Sequence, residues 1–155
     1  MSPQVVPVGP GHLAALTSLF ERIGADPEAK YFHPHPFTAA QAKVTTAYAG
    51  PDVYALMLLA SEAIGYGFLR GWEEHHSVPS LGIYVAADRR GSGAARVLME
   101  YLHLAASLRG AARVRLKVHP ENIRARRLYA RLGYRFAVTP ENGEFVGFLE
   151  LPGKA

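Results

Sequence analysis

The chain of 155 residues contains no cysteine. That absence excludes disulfides, thiolate metal sites and any covalent cysteinyl intermediate. Long apolar runs are missing too: the longest, near Val53 to Ala60, falls far short of the ~20 residues of a spanning helix, so no membrane association is expected. The N-terminus lacks a basic segment followed by an apolar stretch, and a cytoplasmic location is expected. Neither sign of charge dominates, with 17 Lys and Arg against 13 Asp and Glu for a net +4. So mild an excess gives no expectation of nucleic-acid binding. Repeats and low-complexity tracts are absent. A hydrophobic content of 49% and a mean hydropathy near zero describe one domain over residues 1–155 with a single core.

What is present is organised around the stretch from Leu81 to Leu98. Leu81, Ile83 and Val85 alternate at period two, and Ala94, Val97, Leu98, Tyr101, Ala105 and Leu108 then recur at helical spacing. Between the two periods lies Arg89-Arg90-Gly91-Ser92-Gly93. Glycines at a strand-to-helix junction let the backbone approach a ligand closely and leave the first helical N–H groups, with the positive end of the helix dipole, facing the loop. Such a loop suits a phosphate. It is not a nucleotide P-loop, since no Gly-Lys-Ser/Thr follows, and it lacks the third glycine of a dinucleotide fingerprint. Nor is Ser92 a nucleophile elbow, because Arg90 and Ala94 occupy the positions where that turn needs glycine.

Arg90-x-x-Gly93-x-Ala95 resembles the Arg/Gln-x-x-Gly-x-Gly/Ala pyrophosphate loop of the GNAT superfamily of acetyl-coenzyme-A-dependent N-acetyltransferases. A second stretch, Asn122-Ile-Arg-Ala125-Arg-Arg-Leu128-Tyr129-Ala-Arg-Leu132-Gly133-Tyr134, is similar to the same family's Asn-x-x-Ala-x-x-Leu-Tyr-x-x-x-Gly-Phe/Tyr signature. The two follow in order with a strand between. The resemblance covers Ala63 to Phe136 and extends to the flanks by pattern alone. It implies an α/β (α+β) fold: a mixed, mostly antiparallel sheet of about six or seven strands, splayed at a central parallel pair and flanked by about four helices. It further implies acetyl-CoA as co-substrate, with no metal. The backbone of Arg90, Gly91, Ser92, Gly93, Ala94 and Ala95 would hold the pyrophosphate, with charge from Arg90 and Arg89. Main-chain groups of Ile83 and Val85 would pair with the pantetheine arm. Tyr129 would be the general acid for the thiolate leaving group, and Asn122 would order the cofactor or cap its helix.

Residue patterns place the other elements. Gln4 to Val8 reads as an edge strand broken by Pro7. Leu13, Leu16, Leu19 and Phe20 mark a helix to about Ile23, ended by Gly24-Ala25-Asp26-Pro27. The segment from Tyr31 to Phe37 carries two prolines and is a stiff aromatic loop. Thr38 is an N-cap for a helix to Tyr48. Val53 to Ala60, Ala63 to Trp72 and Ser80 to Ala86 form a meander, and Arg113 to Val118 is a strand with one basic face. After the helix from Asn122 to Leu132, Gly133 is its stop, and Tyr134 to Val138 and Glu144 to Leu151 close as a hairpin across Pro140-Glu141-Asn142-Gly143.

The general base has no signature of its own. Glu73, Glu74, His75, His76, His33 and His35 are candidates beside an ordered water, with Glu74 first because it follows a strand expected to reach the acceptor side. Tyr31, Phe32, His33, His35, Trp72 and Tyr84 are read as the acceptor pocket, an aromatic lining that suits a sugar face or flat amine. The Phe-His-Pro-His-Pro loop with Gly-Trp-Glu-Glu is similar to acetyltransferases of amino sugars. The expected activity is direct transfer of acetyl to a small primary amine in a ternary complex. A protein or peptide amine and a non-catalytic acyl-CoA-binding module are the alternatives. Exposed C-terminal strands of this kind can pair into a homodimer.

Overall fold

The computed structural model describes residues 2–152. Its strands are β1 (Gln4–Pro7), β2 (Val53–Leu59), β3 (Glu62–Arg70), β4 (Ser80–Val85), β5 (Arg113–Val118), β6 (Arg135–Phe136) and β7 (Phe145–Glu150). Its helices are α1 (Leu13–Ala25), α2 (Ala39–Thr46), α3 (Ala94–Leu108) and α4 (Ile123–Arg131). One sheet runs β1-β2-β3-β4-β5-β7-β6. The pair β4 and β5 is parallel, and its neighbours are antiparallel. This is the order that the residue patterns predict, with the central parallel pair in the place that the resemblance implied. Among the described residues no helix is long and apolar enough to cross a membrane.

Local chemistry accounts for the element ends. Pro7, which has no N–H to donate, ends β1 at the sheet edge. Thr38 caps α2 by accepting the Gln41 N–H at 3.1 Å. Gly133, at φ +101°, supplies the left-handed residue that stops α4. Asn142 (φ 50°) and Gly143 (φ 81°) form the two-residue turn of the closing hairpin, with Glu141 N–H donating to the Glu144 carbonyl at 2.8 Å. The β6 arm is shorter than predicted, reaching only from Arg135 to Phe136.

Helices cover the sheet unequally. On one face Leu16, Leu19, Phe20 and Ile23 of α1 pack on Leu56, Tyr66, Phe68 and Tyr84 of β2 to β4. On the other, α3 packs Leu98, Met99, Leu102, Ala105 and Ala106 against Met57, Leu69, Leu81, Val114 and Leu116. The apolar stripe expected on α3 is therefore rotated by about one residue, and Val97 (50% exposed) and Leu108 (77% exposed) face outward. Two stripes overlap on this helix. Leu98 and Ala105 belong to both, and packing on the sheet buries Met99, Leu102 and Ala106 in place of Val97 and Leu108.

Alternation along β4 turns Leu81 toward α3 and Tyr84 toward α1. Gly82 lies opposite Phe68 in the β3–β4 register, and the Phe68 ring covers it so closely that a Cβ there would sit 2.3 Å from Cζ. Gly82→Ala is expected to lower stability by about 1–3 kcal/mol through overpacking, read from the urea midpoint at unchanged m-value.

Candidate active site

The parallel ladder between β4 and β5 is a single pair, Ser80 with Arg115, closed by Arg115 N–H to the Pro79 carbonyl at 2.9 Å. That bond turns the backbone groups of odd-numbered β4 residues toward β5, because N–H and C=O directions alternate along a strand. Even-numbered residues face β3, as Ala86 N–H to the Ile64 carbonyl shows at 2.9 Å. Beyond Ser80 the two strands diverge. The main-chain groups of Ile83 and Val85 thus look into the opening with no strand opposite.

That opening is a cleft of about 570 Å³. One wall is β4 from Leu81 to Val85; the other is Lys117, Val118 and His119 with Asn122, Ala125, Leu128 and Tyr129 of the α4 region. Arg90 and Ala95 stand at one end, and a 3-10 turn, Pro27–Tyr31, runs along it. A second groove of about 480 Å³ lies between α4 and β6, lined by Ile123, Arg126, Arg127, Ala130, Phe136, Val138 and Phe145 among others. Neither the Gly-rich loop nor Tyr129 opens onto it, so the chemistry belongs to the cleft.

At the loop, Gly91 (φ +78°) and Gly93 (φ +88°) adopt left-handed backbone, and open space surrounds the place of a Cβ at either. They serve conformation here, not clearance. The Ser92 hydroxyl donates to the Arg89 carbonyl and accepts weakly from Ala94 N–H at 3.4 Å. Val97 N–H to the Gly93 carbonyl opens the helical ladder, which leaves the Ala95 and Arg96 N–H groups without intrahelical acceptors. Arg89 Nε is buried without a hydrogen-bond partner among the described residues, and the Asp88 carboxylate lies 4.0 Å from it. A helix N-terminus and an unpaired strand edge together fit a pyrophosphate with an extended amide-bearing arm.

Arg90 departs from expectation. Its guanidinium bonds Asp26 at 2.7 Å and Glu28 at 2.6 Å, so its charge is met by two carboxylates of the chain. Asp26 is the hub of that corner: it also accepts the Tyr84 hydroxyl at 2.7 Å and caps the 3-10 turn through Glu28 N–H at 2.9 Å. Burial would raise its pKa, but the bonds from Tyr84, Arg90 and Glu28 N–H outweigh burial and hold it below the ordinary 3.8. At the far end of the turn the Tyr31 ring stacks on His119 at 3.9 Å, and its hydroxyl donates to Glu121 at 2.7 Å. Asp26, Glu28, His119 and Glu121 were not singled out from the sequence. Asp26-Pro27-Glu28, an N-cap followed by Pro and an acid, is a helix-start signal that was read as a breaker.

Tyr129 is 8% exposed and lines the cleft. Burial alone raises its pKa to about 12, so the phenol is neutral and proton-bearing at physiological pH. Asn122 caps α4, its Oδ1 accepting Ala125 N–H at 3.3 Å, and it also lines the cleft with Ala125 and Tyr129.

Of the acceptor residues read from sequence, Tyr31, Phe32 and Tyr84 reach the cleft. The others do not. Glu74 sits in the turn after β3 with its side chain 80% exposed, 3.7 Å from His76. The backbone turns back at Gly71 and takes it away from the opening, as His76 N–H to the Gly71 carbonyl records. Trp72 packs on the α3 side core, beneath Arg109 at 5.8 Å. His33 is exposed in its loop. His35 packs on Phe20 and Phe37, bonds Pro36 O and the Tyr66 hydroxyl, and has its pKa lowered by burial. It orders the loop. Among the described residues no group of three His, Asp or Glu could hold a metal.

The family model for the acetyltransferase (GNAT) family matches residues 16–134. The chain belongs to this family. Its fold is similar to the GNAT domain of PAT from S. lividans, at TM-score 0.82 and 22% identity over 96% of this chain and 90% of that one. PaiA N-acetyltransferase from Thermoplasma acidophilum, solved in complex with coenzyme A, superposes at TM-score 0.74 with 13% identity over 97% and 99%. The Escherichia coli ribosomal-protein-S18-alanine N-acetyltransferase gives 0.70 and 19% over 99% and 96%. No curated protein matches the sequence. As a GNAT domain the chain is of the acyl-CoA-dependent acetyltransferase type.

Because the folded-state pKa of Asp26 lies below 3.8, its contribution to stability is complete above that value and is lost as pH falls toward the folded pKa. Urea unfolding between about pH 5 and 3 is expected to show a shallower loss of stability in Asp26→Asn than in the wild type.

Proposed function

We propose that this GNAT domain transfers acetyl from acetyl-CoA directly to the primary amine of a small molecule, with Tyr129 as the general acid. The observation that carries the reading is the unpaired backbone of Ile83 and Val85 facing a cleft that has the α3 loop at one end and Tyr129 in its wall. An extended amide-bearing arm laid along β4 satisfies those groups as a further strand would. The loop from Arg90 to Ala95 then takes the pyrophosphate through its backbone N–H groups, since the charge of Arg90 is met by Asp26 and Glu28 and that of Arg89 by Asp88.

In the reaction the neutral amine attacks the thioester carbonyl, the C–S bond breaks, and the sulfur leaves with a proton delivered through the Tyr129 hydroxyl. The amine's own proton passes to water or a cleft carboxylate. A small acceptor is favoured because Tyr31 and Asp26 tie the 3-10 turn to both walls of the opening, which confines the space beside the aromatic rings of Tyr31, Phe32 and Tyr84. Those rings suit an amino sugar or similar amine.

Thermal unfolding with and without acetyl-CoA tests the donor without the acceptor. At about 100 times the dissociation constant, binding is expected to add ~2.7 kcal/mol. That is a rise in Tm of roughly 5–10 °C for a domain of this size. No rise at saturation would refute the donor assignment. Once an amine panel yields turnover by coenzyme A release, Tyr129→Phe should lower kcat by about 10²- to 10⁴-fold, with acetyl-CoA still raising Tm as in the wild type.

A further inference from the structure

The 3-10 turn Pro27–Tyr31 and its cap Asp26 bridge the two arms of the splayed sheet. The start is held to the β4 arm, where the Asp26 carboxylate, 9% exposed, receives Arg90 and Tyr84. Glu28 adds a second bond to Arg90 at 2.6 Å. The end is held to the β5 arm through Tyr31, stacked on His119 and bonded to Glu121. Arg90 is also the first residue of the Gly-rich loop. The side chain that leaves the loop therefore ends on the segment that roofs the acceptor end, through bonds in which Asp26 is the common partner.

We propose that Asp26 is a positioning residue: it ties the 27–31 segment to the first residue of the pyrophosphate loop, so that filling the loop fixes the roof of the acceptor pocket. The proposal rests on the acetyl-CoA reading of the loop. Anion binding at the N–H groups from Arg90 to Ala95 restricts the backbone of Arg90, and a restricted Arg90 holds Asp26 and Glu28 in place. The link is a contiguous set of charge-assisted hydrogen bonds, among the strongest that side chains make. Being a coupling between two sites it is reciprocal, so an acceptor held under the roof tightens the donor in turn. Simple structural support by Asp26 would stabilise the fold without making the roof respond to a ligand at the loop.

Amide hydrogen exchange of the full chain separates these. The probe is ADP, which carries the pyrophosphate without the pantetheine arm and so has nothing to lay against residues 27–32. In the wild type, saturating ADP is expected to slow exchange at the start of α3 and also, by about 5-fold or more, in residues 27–32. In Asp26→Asn the α3 protection remains while the response of 27–32 disappears, and Asp26→Glu, which keeps the charge, restores part of it. Should Asp26→Asn fail to fold, Tyr84→Phe removes one of the bonds to Asp26 and is expected to reduce the response of 27–32. Protection of α3 with no response of 27–32 in the wild type would overturn the coupling alone. A response of 27–32 that is unchanged in the folded variants would do the same. Absence of any protection at α3 would overturn the donor site itself, and the coupling with it.

Discussion

A backbone N–H or C=O finds its partner in the protein, in water or in a ligand, and beyond Ser80 one edge of β4 has no partner in the sheet. Its odd-numbered residues face β5, yet the ladder consists of Ser80 and Arg115. The strands separate because each is committed elsewhere. β4 has six residues in register with β3, and β5 has six with β7. The core on the α1 side draws its strand members from β2, β3 and β4. The α3 core reaches across both halves. The sheet is thus hinged at its base over α3 and open above it, and the open edge is where a ligand with its own amides can bind.

Charge is distributed to suit that opening. A loop rich in arginine beside a helix N-terminus would present an unchecked positive field, but the Arg90 guanidinium is taken up by Asp26 and Glu28, and it lies 5.4 Å from the Tyr84 ring. Burying that guanidinium at 17% exposure is tolerable only because its charge is paired. The pair has a second effect: it turns a loop residue into a structural tie. Backbone N–H groups, whose direction is fixed by Gly91 and Gly93 at positive φ, are left to meet an anion.

The features legible in the sequence are those set by local rules. Period-two alternation gave β4 and β5, the Thr38 and Asn122 caps gave two helix starts, and Asn142-Gly143 gave the hairpin turn. Asn122, Ala125 and Tyr129, which the family motif names, all reach the cleft. What was misplaced depends on tertiary position. The α3 stripe is ambiguous because apolar residues cover much of that helix, and only packing on the sheet chooses Met99 and Leu102 over Val97 and Leu108. Trp72 and Glu74 follow a strand that points the right way, but Gly71, at φ +138°, turns the chain aside. His35 carries the same residue type as a catalytic base and is consumed by Tyr66 and Pro36. Asp26 was hidden for the opposite reason: its partners lie 58 and 64 residues away, beyond any local pattern.

Proton placement follows from the burial of Tyr129. A phenol held near 12 donates reluctantly to a thiolate, whose thiol has a pKa of about 8.5. Complete transfer from phenol to sulfur, taken alone, is uphill by about 3.5 units, or ~5 kcal/mol. Under the proposed reaction the phenol is accordingly most effective as a hydrogen-bond donor while the C–S bond is breaking, when charge on sulfur is developing and not yet settled. The proton that finally rests on the sulfur is replaced on the phenol from solvent, while the proton lost by the amine leaves through water or a cleft carboxylate.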